Sequence, residues 1–158
     1  MKDLTWRISR QGSEAVMILE GEFNDTADFR SLQQETLDSP LVVDFGGVTR
    51  INSTGLRVWM NLVTKLNESG VQVCLDRCSP PIVGQLNLIS NFAGEGGPGR
   101  VRSVFAPYHC ASCDQEHMEL VDRASSADIP ETSFCLSCGS ATTFSDLIEM
   151  YFSFWMNP

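Results

Sequence analysis

The chain has 158 residues, the length of one ordinary domain or of a small domain with a minor second unit. Apolar residues make up 42% and charged residues 20%, which excludes a disordered or fibrous protein. The net charge of −9 is uneven: residues 1–107 carry ten basic against twelve acidic side chains, and residues 108–158 one against eight, so the second part lacks the clustered Lys and Arg that bind nucleic acid or an anionic membrane.

Residues 1–10 hold Lys2, Arg7 and Arg10 but not the apolar stretch of a leader. No apolar run nears the ~20 residues of a membrane span. A cytoplasmic protein is expected, one whose thiols stay reduced.

Residues 4–9 alternate and residues 15–19 form a compact apolar run, with Ser13-Glu14 as the turn, so a β-hairpin is expected. Asn24-Asp25-Thr26 is a helix-start signal. Phe29, Leu32 and Leu37 then predict a helix over 27–37, ended by Ser39-Pro40. Residues 41–45 read as a buried strand, broken by Gly46-Gly47. Ser53 is the expected N-cap of a helix over 54–67, which turns Leu56, Trp59, Leu62, Val63 and Leu66 inward and Arg57, Asn61 and Lys65 outward. A strand over 71–75 follows. Ser79-Pro80-Pro81 opens a helix over 82–89.

The glycine-rich stretch 93–99 lacks the Gly-Lys-Ser/Thr ending of a phosphate loop and follows a helix rather than a strand. Residues 101–105 are the last strand of this part. The order ββαβαβαβ predicts an α/β sandwich with a mixed sheet. Residues 124–133 read as a polar loop. Residues 145–155 predict a short helix, too short for a membrane and too apolar to stand in water, so it packs within the chain or pairs two copies into a homodimer.

Cys110-Ala111-Ser112-Cys113 and Cys135-Leu136-Ser137-Cys138-Gly139 are two Cys-x-x-Cys knuckles separated by 21 residues. A two-residue gap lets both thiolates of a knuckle meet one tetrahedral ion, and two knuckles supply four ligands. The reading is a structural Zn2+ bound by Cys110, Cys113, Cys135 and Cys138, since four ligands leave no position for substrate. It would supply folding energy to a segment too small to build its own core. Disulfides conflict with a reducing compartment. A redox pair would sit at a strand-to-helix junction rather than before a polar loop. His109 and His117 flank the first knuckle as surface or supporting residues. Cys74 and Cys78 read as ordinary buried residues.

The segment Asp44-Phe45-Gly46-Gly47-Val48-Thr49-Arg50-Ile51-Asn52-Ser53-Thr54-Gly55-Leu56 resembles the STAS domain of bacterial anti-sigma factor antagonists, in which a strand ending in Asp-Leu leads through Ile/Met-Asp-Ser-Ser/Thr-Gly-Leu into a helix. The likeness extends over about residues 4–107, with the element order and the Cys-Ser-Pro-Pro opening of the third helix. It implies an α/β STAS fold, a mixed sheet with helices on one side, over 1–107. A zinc-ribbon-like segment with a short C-terminal helix follows over 108–158. It further implies a non-enzymatic regulatory module in which an anti-sigma factor of serine-threonine kinase type phosphorylates Thr54, or alternatively Ser53, and a phosphatase reverses this. Asn52, Ser53, Thr54, Gly55 and Arg57 would then meet the partner. The family commonly has Asp where this chain has Asn52. A constitutive STAS scaffold, never phosphorylated, is the alternative. With only two histidines, both beside the first knuckle, no nucleophile–base–acid set assembles.

Overall fold

The computed structural model describes residues 2–124 and 129–156. Residues 125–128 of the expected polar loop, Met1, and residues 157–158 lie outside the described residues. The first sheet has the order β1-β2-β3-β4, built from β1 (Thr5–Gln11), β2 (Glu14–Phe23), β3 (Leu41–Ile51) and β4 (Val73–Asp76). β1 and β2 form an antiparallel hairpin, and β2–β3 and β3–β4 are parallel, so the sheet is mixed as expected. The hairpin turns at Gly12-Ser13, one residue earlier than expected, because Gln11 and Glu14 still pair.

Strand alternation sorts the two faces. Met17, Leu19, Val43, Phe45, Val73 and Leu75 enter the main core, which α1 (Ser53–Glu68) and α2 (Pro80–Leu88) close with Trp59, Val63, Ile82 and Leu86. Val16, Val42 and Cys74 on the opposite face form a small cluster of strand residues alone. The helices therefore pack on one side. Trp59 is fully buried among Phe23, Phe45 and Phe92, and its indole N–H donates to the Phe92 carbonyl at 2.8 Å.

The helix expected over 27–37 is replaced by a five-residue 3-10 turn, Arg30–Gln34. Its backbone groups are engaged elsewhere. The Asn24 side chain accepts from the Thr26 N–H at 2.9 Å, and Asp28 accepts from the Arg30 N–H at 3.0 Å. The Asp28 carbonyl takes the Trp6 indole N–H at 2.8 Å, and the Thr36 carbonyl takes Arg10. Short polar side chains that bond locally offer the backbone an alternative to the helix.

The last expected strand begins later and runs further, as β5 (Ser103–His109). It lies alongside β4 through the isolated parallel bridges Leu75–Val101 and Cys78–Val104, then enters a second sheet. That sheet has the order β6-β5-β8-β7, with β6 (Glu116–Asp122), β7 (Thr132–Phe134) and β8 (Ala141–Phe144), all antiparallel. Arg77 fastens the junction: its Nε lies 3.3 Å from the Asp44 carboxylate and its guanidinium stands 5.0 Å over the Phe105 ring.

The terminal helix is two single turns, α3 (Ile148–Tyr151) and α4 (Ser153–Met156). Asn87 of α2 divides them. Its Nδ2 donates to the Tyr151 carbonyl at 2.9 Å, and its Oδ1 accepts from the Ser153 hydroxyl at 2.8 Å and the Phe154 N–H at 3.0 Å. Trp155 N–H therefore turns to Phe152 O in place of Tyr151 O. Tyr151, Phe152, Phe154 and Trp155 are buried in the main core. A run of ring contacts, Tyr108–Phe144–Tyr151–Phe152–Trp155, links the second sheet to that core. The aromatic residues of the segment pack within the chain, while Leu147, Met150 and Met156 stay exposed.

Candidate functional site

Two constellations carry chemistry. The first is the start of α1. β3 delivers the chain to Asn52, whose backbone N–H donates to the Phe23 carbonyl at the end of β2 at 3.1 Å. Asn52 is extended, and its side-chain oxygen accepts from the Gly55 N–H at 2.8 Å. Asn52 is therefore the N-cap, and Ser53, expected in that role, is the first helical residue. The shift follows from geometry: the cap must be extended and present its acceptor to the amide three residues on, and Asn52 does both. Asn52→Ala should cost about 1 kcal/mol, and Ser53→Ala less than about 0.5 kcal/mol; thermal unfolding of the two variants checks the ranking.

Ser53 and Thr54 are exposed on the first turn of a 16-residue helix, a turn with no acidic residue. Their hydroxyls stand where unpaired backbone N–H groups and the positive end of the helix dipole favour an anion. Arg57 is exposed one turn on, and residues three apart on a helix are neighbours. Gly55 lies buried beneath them. A Cβ there would come within 2.0 Å of the Phe23 carbonyl oxygen, so its hydrogen side chain is what lets α1 seat on the end of β2.

The second constellation is the cysteine cluster. One atom from each of Cys110, Cys113, Cys135 and Cys138 lies within 4.8 Å of the other three. Cys110 Sγ and Cys138 Sγ are 3.6 Å apart, and Cys113 Sγ and Cys135 Sγ 3.5 Å apart. Four ligands at ~2.3 Å on a tetrahedron are separated by about 3.8 Å, so this donor set fits a tetrahedral thiophilic metal ion.

The two knuckles are copies of one turn. In the first, the Asp114 N–H donates to the Cys110 carbonyl at 2.8 Å, and the Cys110 N–H to the Gln115 carbonyl at 2.8 Å. In the second, the Gly139 N–H donates to the Cys135 carbonyl at 2.9 Å, and the Cys135 N–H to the Ser140 carbonyl at 2.8 Å. The residue after the second cysteine of each turn is left-handed, with φ of 58° at Asp114 and 77° at Gly139. Gly139 takes that conformation without strain and Asp is among the residues that tolerate it. Asp114 is thus the counterpart of Gly139, and its carboxylate lies 2.7 Å from His109 Nε2. The register of the two Cys-x-x-Cys motifs carried that signal.

The same turns aim donors at sulfur. The Ser140 hydroxyl and backbone N–H hold the Cys138 thiol down at about 6. Backbone N–H groups of Cys138 and Ser137 lower Cys135. At Cys113 the Gln115 N–H acts in the same sense, but burial and the crowding sulfurs outweigh it and hold that thiol up at about 12. Four adjacent thiols do not all ionise unless a cation sits among them, which is what a metal ion supplies.

His117 is not in the cluster. It stacks on Tyr108 with ring centroids 5.6 Å apart and faces Glu119. Cys74 and Cys78 are buried free thiols, as expected, and burial together with Asp76 and Asp44 pushes the Cys78 thiol well up. No described helix is long and apolar enough to cross a membrane. The cysteine cluster and the α1 terminus lie on different units: the first joins two hairpins of the second sheet, and the second sits where β2 and β3 of the first sheet end.

No curated protein matches the chain closely. The sequence model of the STAS domain matches residues 11–93, from the hairpin turn through α2. STAS domains generally act through protein–protein contacts. With more than half its length matched and the Asn-Ser-Thr-Gly-Leu segment seated at the head of α1, this chain belongs to the STAS domain family.

Proposed function

We propose that the protein is a non-enzymatic, cytoplasmic regulatory module of the anti-sigma factor antagonist kind. The observation that carries this reading is the exposed Ser53-Thr54 pair on the capped first turn of α1, within the matched domain. A kinase-type anti-sigma factor docks on Asn52, Ser53, Thr54 and Arg57 and transfers phosphate to Thr54. A phosphatase restores the hydroxyl. Phosphate at that place adds about −1.5 to −2 charge. The helix terminus tolerates it, so the domain stays folded, while a docked acidic or apolar partner surface is repelled. The metal is Zn2+, held by the four cysteines in a closed shell that leaves no coordination site for catalysis.

The test is retention of the partner from host-cell extract by immobilised protein, with and without ATP. Wild type should release it when ATP is added, Thr54→Ala should hold it in both conditions, and Thr54→Asp should bind about tenfold more weakly, a change of ~1.4 kcal/mol. Thr54→Asp that binds as tightly as wild type contradicts the switch. Asn52 favours a second reading. The capping bond to Gly55 needs only a neutral amide oxygen, so the loop is complete without the charge that the family commonly carries there. A scaffold that is never phosphorylated would need no more.

A further inference from the structure

Four large apolar side chains stand exposed where the end of α2 meets the terminal turns: Leu88 at 79%, Leu147 at 61%, Met150 at 63% and Met156 at 47%. The base beneath them is tied down by hydrogen bonds. Asn87, next to Leu88, holds three groups of residues 151–154, and Tyr151, Phe152, Phe154 and Trp155 are buried under the corner. Large apolar side chains exposed around one hydrogen-bonded corner offer a surface that another molecule can cover with little further loss of conformational freedom. Two of the four are methionines, whose flexible thioethers adapt to varied contacts.

Charge selects the occupant. Asp146 and Glu149 flank Leu147 and Met150 and are exposed, and residues 129–156 contain neither Lys nor Arg. A second copy docked symmetrically here would oppose carboxylates with carboxylates, with no cation from this segment between them. A cationic partner meets complementary charge instead. We infer that this corner docks a cationic amphipathic segment of another protein, its apolar side chains on Leu147 and Met150 and its Lys or Arg residues on Asp146 and Glu149. The surface is separate from the α1 terminus and stands whether or not Thr54 is phosphorylated.

The experiment uses the full-length, metal-loaded chain. A fluorescent amphipathic peptide of leucine and lysine is titrated against it by anisotropy at low and high salt, with the leucine and glutamate counterpart as control. Hydrogen exchange then maps the footprint. Saturable binding of the lysine peptide, weakened by salt, with protection at 87–88 and 146–156, is expected. The double variant Glu149→Lys/Met150→Lys, at two exposed positions, should keep its melting temperature and lose about tenfold in affinity. Equal binding of the glutamate peptide, or a footprint elsewhere, overturns the inference. So does a concentration-dependent dimer that the double variant dissolves, which would make a second copy the occupant.

Discussion

Cys138→Ser should empty the metal site and lower the melting temperature by about 10 °C or more, since roughly 1 kcal/mol corresponds to 2–4 °C in a chain of this size. The reason lies in how the second sheet is joined. β7 and β8 form one hairpin and β5 and β6 another. Among the described residues only Tyr108–Phe144 and His109–Thr143 pair between the hairpins, with side contacts from the Ser145 N–H to the Pro107 carbonyl, the Tyr108 hydroxyl to the Pro130 carbonyl and the Ser133 hydroxyl to Glu119. Each hairpin carries one knuckle, so a metal held by Cys110, Cys113, Cys135 and Cys138 is a crosslink between them. Structural zinc sites of this type contribute about 10–16 kcal/mol of apparent binding energy in small peptides. A site with three thiolates retains only part of that. The terminal turns follow directly from β8, so loosening this hairpin also loosens the cover over α2. Native mass spectrometry, together with thermal unfolding, checks the prediction. Wild type should hold one zinc ion per chain and the variant none. A variant that keeps its metal and its melting temperature would show that the cluster does not crosslink the hairpins.

Gly55→Ala should destabilise the domain by about 3 kcal/mol or more, the upper range of overpacking effects. The added Cβ would lie 2.0 Å from the Phe23 carbonyl oxygen and 2.4 Å from its carbon. Both atoms are backbone of β2, held at Phe23 by its pairing with Ile51 of β3 and by the Asn52 N–H on its carbonyl. The helix must therefore lift, which strains the Asn52 cap and the Asn52–Phe23 backbone bond. A fall in melting temperature of about 6–12 °C in thermal unfolding is the expected reading. A near-neutral Gly55→Ala would mean that α1 does not seat on β2 as described. Gly84 of α2 is the control: a Cβ there meets nothing within 4 Å, and alanine should be tolerated.

The sequence was most legible where a pattern had one physical solution. The apolar runs beginning at Ala15 and Leu41 are strands because both of their faces are covered. The stripe Trp59, Val63, Leu66 is the inner face of α1. The cysteine spacing required the four sulfurs to meet, and they do. Legibility failed where a local side-chain bond decided the backbone. Residues 27–37 have helical spacing, yet Asn24 and Asp28 capture amides and Trp6 and Arg10 capture carbonyls. Asn87 splits the terminal helix from 64 residues away in sequence, which no local pattern announces. At α1 both Asn52 and Ser53 are good caps, and only the bond to Phe23 O places Asn52 as the extended one. The second sheet was hidden for another reason. Its strands are short, and their exposed faces carry Met118, Leu120 and Phe134 in place of a clean polar alternation.

Phosphopeptide mapping of residues 51–57, on protein isolated from its own cells, tests the proposed switch most directly. A population carrying a single phosphate on Thr54, absent from Thr54→Ala, is expected. A loop that stays bare while the kinases of the host are active would contradict it, and would leave a STAS scaffold whose partners are met elsewhere on the surface.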